Sequence, residues 1–247
     1  MKAIILAAGY ATRLYPLTLK MSKCLLKINN KPIIDYIVEE INKIPTIDTI
    51  YLITNGLFAN DFYKWHKNTT SLIPIHIVDN NTMSEDEKLG AIGDINFCIN
   101  SNNINEDTLI IAGDTFFNFS LKSFYDYFKT NNKDCVCVKE IYEKEKLKRF
   151  AVATLESNKI VNLIEKPQYP SSNTAVYAVY LYKKETIEMF KKYIEDGNNK
   201  DAPGFFLEWL YKIKDVLAYK INGECFDIGT LQSYEEVEAL VTRACSH

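Results

Sequence analysis

Short apolar runs alternate with helix-spaced segments along this chain, and no other feature restricts its fold as much. Lys2–Ala8 reads as a buried strand. Ile33–Ile44 carries apolar residues at 33, 34, 37, 41 and 44, a helical spacing, and Pro32 suits a helix start. Thr49–Thr54 reads as a strand, Asp61–Lys67 as a helix and Ile73–Asp79 as a strand. Thr108–Gly113 is a buried strand that runs into Asp114, Phe119–Thr130 is helical, and Cys135–Ile141 alternates like a strand. This order predicts an α/β fold, a mixed, mostly parallel sheet sandwiched by helices. Phe150–Leu155, Lys159–Ile164 and Ala175–Leu181 then follow as strands with short turns, which adds an antiparallel section. Helices are expected over Lys184–Glu195, Phe205–Ile213 and Tyr234–Arg243. No repeat or Pro/Gly-rich linker interrupts residues 1–247, so they are read as a single domain.

Composition excludes several classes. With 47% hydrophobic residues the chain is not a disordered one, and a net charge of −3 does not suit a protein that coats nucleic acid. There is no run of 18 apolar residues, so no membrane span is expected. The apolar start reads as a strand rather than a secretion signal, because it is short and runs into Gly9 and Arg13. Six cysteines without a CxxC pair read as free thiols in a reducing cytoplasm; Cys135 and Cys137 share one face of a strand and do not suit a bridge. His66 and His76 are isolated, and Trp65 and Trp209 sit on helical stretches as core or rim residues.

The chemistry concentrates in Leu6–Thr18, LAAGYATRLYPLT. An apolar strand ends in small residues and Gly9, and Arg13, Lys20 and Lys23 follow. Small residues let a backbone approach a ligand closely, and its N–H groups can cradle phosphate oxygens. Arg13 offers a planar donor fork and Lys23 a movable point charge, both suited to phosphate. The stretch is neither GxxxxGK[ST] nor GxGxxG. On these residues alone, a tight turn with solvated basic side chains explains it equally well. Asp114 ends a buried strand, where open α/β sheets bind ligands, although a carboxylate there also caps turns.

LAAGYATRLYPLTLKMSKCLLKINNKP (Leu6–Pro32) resembles the signature of the sugar-phosphate nucleotidyltransferases, LAAGxGTRLxPLTxxxPKxLLxxxxKP. Later segments match in order: LGAIGDI (Leu89–Ile95), AGD (Ala112–Asp114), IEKPQYPSSNTAVYAVYLY (Ile164–Tyr182) and FDIGTLQSYEEV (Phe226–Val237). The likeness covers nearly the whole chain and is greatest to the glucose-1-phosphate thymidylyltransferase type. It implies a Rossmann-like nucleotidyltransferase fold, with a nucleotide-binding half over 1–115 and a sugar-binding half over 116–247. It implies that Arg13 and Lys23 are catalytic, and that Leu6, Ala8, Gly9, Tyr10, Ala11, Thr12, Asn80, Gly90 and Gly113 bind the nucleotide. Glu165, Lys166 and Asn173 would bind the acceptor, and Asp114 and Asp227 would hold one Mg²⁺, a sensible donor pair for that ion.

Four positions depart from the pattern. Ala11 stands for the second glycine of the loop, a change expected to require φ < 0. Ser22 stands for the proline before Lys23, and Ala151 and Ala178 for glycines of the sugar half. Pro167 is expected to hold Lys166 extended. Asp94, within GAIGDI, reads as an acid favoured in the first turn of a helix. The acidic run Ser84–Glu87 reads as a solvated loop, with a lid over the nucleotide as the alternative.

The implied reaction joins a nucleoside triphosphate, dTTP or UTP first, to a sugar 1-phosphate with release of pyrophosphate. One alternative is a CTP-dependent enzyme for a non-sugar phosphate or phosphonate such as phosphocholine. Tyr177 and Tyr180 lie three apart in a strand, so they face opposite ways and make a poor cage for a quaternary ammonium. Another alternative is a non-catalytic nucleotide-sensing or scaffold subunit. The expected partners are small phosphorylated molecules, with a homo-oligomer allowed for and no nucleic acid or membrane.

Overall fold

The computed structural model describes residues 1–244, and side chains as far as residue 241. Cys245 therefore lies outside the described residues; the other five cysteines are buried free thiols. The first half runs β1 (Lys2–Leu6), β2 (Lys27–Ile28), β3 (Lys31–Pro32), α1 (Ile33–Ile41), β4 (Thr49–Thr54), α2 (Ala59–Asn68), β5 (Ile75–Asp79), α3 (Ala91–Ser101), β6 (Thr108–Ala112), β7 (Thr115–Phe117) and α4 (Leu121–Asn131). The second runs β8 (Asp134–Glu140), α5 (Lys144–Leu147), β9 (Ala151–Glu156), β10 (Lys159–Glu165), β11 (Thr174–Tyr182), α6 (Lys184–Ile187), α7 (Met189–Glu195), α8 (Pro203–Leu210), β12 (Val216–Lys220), β13 (Cys225–Asp227) and α9 (Leu231–Ala244).

Nine strands form one sheet in the order β5-β4-β1-β6-β11-β8-β12-β10-β9. Pairing is parallel across β5-β4-β1-β6 and between β8 and β12. It is antiparallel from β6 to β11 to β8 and around β9 and β10. The sheet is mixed, as expected, but with four parallel and five antiparallel pairings among the described residues rather than mostly parallel ones, and its antiparallel section is where the later strand cluster was read. Leu6 pairs in register with Ala112, so the loops after β1 and β6 leave the same carboxyl edge. That register brings Gly9 and Asp114 to one end of the sheet.

Alternating residues explain why both faces are covered. Ile5, Leu52, Ile111 and Val179 point to one layer, which Ile34, Ile37 and Val38 of α1, Phe62 of α2 and Phe124 of α4 fill. Ile4, Ile53, Ile110 and Tyr180 point to the other, filled by Ile92 and Ile95 of α3, Phe190 of α7 and Phe206 of α8. Phe190 and Phe206 stack with ring centroids 3.8 Å apart. A smaller cluster of Leu14, Leu26, Ile28, Ile33, Phe116, Ile228 and Val237 seats the loop after β1 against α9. Among the described residues no helix is long and apolar enough to cross a membrane.

Two helices differ from their sequence reading. The stretch from 184 to 195 is two helices divided at Glu188, with the first pinned to the sheet by Asp134. That carboxylate is fully buried and accepts from Lys183 N–H and Thr186 Oγ1, both at 2.7 Å. The reading expected a helix start at Asp94 but gave α3 no extent. Its apolar set Ile92, Ile95, Cys98 and Ile99 has helical spacing, but polar residues between them hide the stripe.

Candidate active site

The loop after β1 is anchored from three sides. Ala7 N–H donates to Ile53 O and Gly113 N–H to Leu6 O, each at 2.8 Å. Asn55 Nδ2 donates to Ala8 O at 2.9 Å. Ala11 takes φ 53° and ψ 40°, which corrects the expectation of negative φ. Its carbonyl accepts from Leu14 N–H at 3.0 Å and Thr18 Oγ1 at 2.8 Å, and these bonds hold the left-handed turn in place of a glycine's freedom. At the position of the missing proline, buried Ser22 accepts from Cys24 N–H at 3.4 Å.

Opposite this loop, β13 pairs antiparallel with β7, and Asp227 lies across from Thr115. Asp114 and Asp227 thereby come within hydrogen-bonding reach of each other, although 113 positions separate them in sequence. Lys23 forms an ion pair with Asp114. Burial opposes charge on Asp114, but the charge of Lys23 together with hydrogen bonds from Asp227 and Lys23 outweighs it and holds the carboxyl below its ordinary value. Burial, and then the charge of Asp114, push Asp227 up. Arg13 is exposed at the cavity and close enough to Asp227 to counter that rise. A pair of carboxylate donors facing open space suits Mg²⁺, which keeps waters and phosphate oxygens as its other ligands. No larger group of His, Cys, Asp and Glu suited to a metal occurs among the described residues.

These groups line a cavity of about 370 Å³. At one end stand Arg149, Phe150, Ala151, Glu165, Lys166 and Tyr177. Glu165 is buried and its carboxyl is raised, first by desolvation and with a further push from Glu208; Lys166 opposes the rise from 3.7 Å. Gly204, near the start of α8, makes room for it, because a Cβ there would lie 1.8 Å from Glu165 Oε2. Lys166 is not extended but has φ 46°, and its N–H donates to Phe150 O at 3.1 Å. This bond overrides the preference that Pro167 imposes.

At the other end stand Tyr10, Gly90, Ala91 and Asp94. Gly90 has φ 79°, and a Cβ there would meet Lys200 O at 2.4 Å. Glu85 lines the rim, where Lys88 bridges it to Asp201 at 3.0 and 3.1 Å.

Most of the expected residues meet here: Leu6, Ala8, Gly9, Tyr10, Ala11, Thr12, Arg13, Lys23, Gly90, Asp114, Glu165, Lys166 and Asp227 all line the cavity. Three do not. Asn80 is buried behind it, where its Nδ2 donates to Asp94 Oδ1 at 2.7 Å. Gly113 is hidden by close packing, with a Cβ there only 2.9 Å from Cys24 Sγ and from Leu6 O. Asn173 is exposed outside the cavity, and its carbonyl accepts from Ile141 N–H at 2.8 Å. Sequence reasoning missed Arg149, Phe150, Asp201 and Gly204, and it treated Asp94 as an ordinary helix-start acid. Pro203-Gly204 at a helix start was the available signal for one of them.

Comparisons with known proteins bear on the family and the fold. A family model described as nucleotidyl transferase matches residues 2–244. A Sulfolobus acidocaldarius protein described as a mannose-1-phosphate guanyltransferase is 28% identical over 240 residues, which is 95% of this chain and 61% of that protein. The bifunctional protein GlmU of Methanocaldococcus jannaschii is 29% identical over 232 residues, 93% of this chain and 51% of its own length. The chain thus spans between half and two thirds of these curated relatives. A UDP-glucose pyrophosphorylase solved with UDP-glucose superposes with TM-score 0.82 at 22% identity and covers 98% of each chain. A Bacillus anthracis protein described as a glucose-1-phosphate thymidylyltransferase, crystallised with sucrose, gives TM-score 0.82 at 24% identity over 97% of this chain and 94% of its own. A match across nearly the whole chain, together with the same fold, makes this chain a member of the nucleotidyl transferase family.

Proposed function

We propose that the chain transfers a nucleotidyl group from a nucleoside triphosphate to a sugar 1-phosphate and releases pyrophosphate. One observation supports this reading: a single cavity brings Arg13, Lys23, Asp114 and Asp227 together with Gly90 and Glu165. An oxygen of the acceptor phosphate bonds to the α-phosphorus as the bond to the bridging oxygen breaks, and pyrophosphate leaves with that electron pair. The attacking oxygen is already ionised, so no strong base is needed. The site must instead hold two anions in line and offset their repulsion. Arg13 grips the departing pyrophosphate and Lys23 the α-phosphate region. Asp114 and Asp227 would hold Mg²⁺, which when bound neutralises charge on the transferring phosphate.

Residues 1–115 serve the nucleotide in this reading, and residues 116–247 contribute most of the acceptor wall. Glu165 accepts from sugar hydroxyls, and Lys166 reaches the sugar phosphate. Ala151 and Ala178 both line this end, so their methyl groups bear on which sugar fits. Phe150 and Tyr177, with ring centroids 5.1 Å apart, also line it and keep a quaternary ammonium acceptor such as phosphocholine as the second reading. The intact charged set weighs against a non-catalytic scaffold. Expectation of dTTP or UTP rested on main-chain contacts around Gly90, and Asp94 at that end bears directly on it. Pyrophosphate release from five nucleoside triphosphates against sugar 1-phosphates, phosphocholine and phosphonates tests the proposal. Turnover with a sugar 1-phosphate supports it, and turnover only with CTP and a non-sugar phosphate replaces the acceptor.

A further inference from the structure

We infer that Asp94 reads the base, and that the preferred nucleotide carries an exocyclic amine, as guanine, cytosine and adenine do, rather than the carbonyl edge of uracil or thymine. The inference rests on the nucleotidyl-transfer reading, which places the base at the Gly90 end of the cavity. Asp94 is only 8% exposed, yet it lines that cavity. One oxygen, Oδ1, accepts from Asn80 Nδ2 at 2.7 Å, and Oδ2 takes no hydrogen bond from the described residues. A carboxylate placed in the first turn of α3 for the helix dipole alone has no need to be buried, and burial without a second partner is costly.

A relay behind it fixes which way each group points. Tyr10 OH donates to Thr82 Oγ1 at 2.9 Å, and Thr82 Oγ1 donates to Asn80 Oδ1 at 2.8 Å. Thr82 N–H also donates to Asn80 Oδ1, at 2.9 Å. The amide oxygen of Asn80 is therefore committed, and its NH₂ must face Asp94. That leaves Asp94 held as an acceptor at the cavity wall, with Oδ2 not taken by any described residue. An ionised carboxylate accepts from N–H donors and repels carbonyl oxygens. Guanine meets it best, because its N1–H and exocyclic amine present two donors side by side. Uracil and thymine offer one N–H between two carbonyls. Glu85 and Asp201 at the same rim keep this end negative, which suits a base and not the triphosphate.

Calorimetric titration of the full chain with GTP, CTP, ATP, UTP and dTTP, each with Mg²⁺, tests the inference without an acceptor. One of the three amine-bearing nucleotides should bind at least about tenfold more tightly than UTP and dTTP, the scale on which unmatched polar groups discriminate. Asp94→Asn, whose amide can turn its NH₂ to a carbonyl, should shrink that ratio at least about tenfold. Tightest binding of UTP or dTTP by the wild-type chain would overturn the inference, and that panel stands even if the variant does not fold. An unchanged ratio in a folded Asp94→Asn would overturn it too. Binding of no nucleoside triphosphate at all would overturn the nucleotidyl-transfer reading, and this inference with it.

Discussion

Single residues decide the shape of the loop and the cavity. Ala11 in the left-handed region costs roughly 1 kcal/mol relative to glycine. Ala11→Gly should therefore raise stability by up to about that amount, less the extra freedom glycine gives the unfolded chain, as read by urea unfolding. Arg13→Ala should lower kcat/KM on the order of 10²-fold or more, the loss typical of one electrostatic donor, as measured by pyrophosphate release. Gly204→Ala puts a methyl group where Glu165 Oε2 now sits, so the KM for the acceptor should rise while the KM for the nucleotide stays close to wild type. At this scale the sequence was informative about charge and uninformative about backbone. Arg13, Lys23 and Asp114 were visible as candidate chemistry and Asp227 only through the resemblance, but the positive φ of Ala11 and Lys166 depends on partners such as Thr18 and Phe150, which only the fold supplies.

At the scale of elements, α3 carries the most testable consequence. Burial raises the Asp94 carboxyl from 3.8 to about 6, and the hydrogen bond from Asn80 opposes the rise. Below the lower value both folded and unfolded chains hold the proton, so Asp94 costs nothing. As pH climbs through the window from 3.8 to about 6, the unfolded chain releases its proton first, and stability falls. The loss is roughly 3 kcal/mol and levels off above the folded value. Asp94→Asn should lose much of that slope, so the variant should gain on the wild type as pH rises from 3.8 to about 6, in urea unfolding at the two ends of this window. An equal slope in both proteins would contradict it. Apolar spacing made most strands and helices legible. It failed for β12 and β13, which were not read, and for the break at Glu188, past the α6 start that Asp134 of β8 holds.

For the whole molecule, the sheet register converts distant sequence into one site. The α/β class followed from alternation alone. That Asp227 would stand beside Asp114 did not, because it depends on β13 returning to pair with β7; only the resemblance put them together. The base end was the least legible part. Asn80 was expected at the ring, yet tertiary packing buries it and turns its amide toward Asp94. Both halves supply the central charges, so removing Asp227 should disable transfer while leaving the Gly90 end able to bind. The central claim is tested most directly by pyrophosphate release with the matching nucleoside triphosphate and sugar 1-phosphate in Mg²⁺, for wild type and Asp227→Asn side by side. The account predicts pyrophosphate formation that requires both substrates and Mg²⁺, and that falls on the order of 10²-fold or more in the variant. Formation unaffected by Asp227→Asn, or none with any pair of substrates, would contradict it.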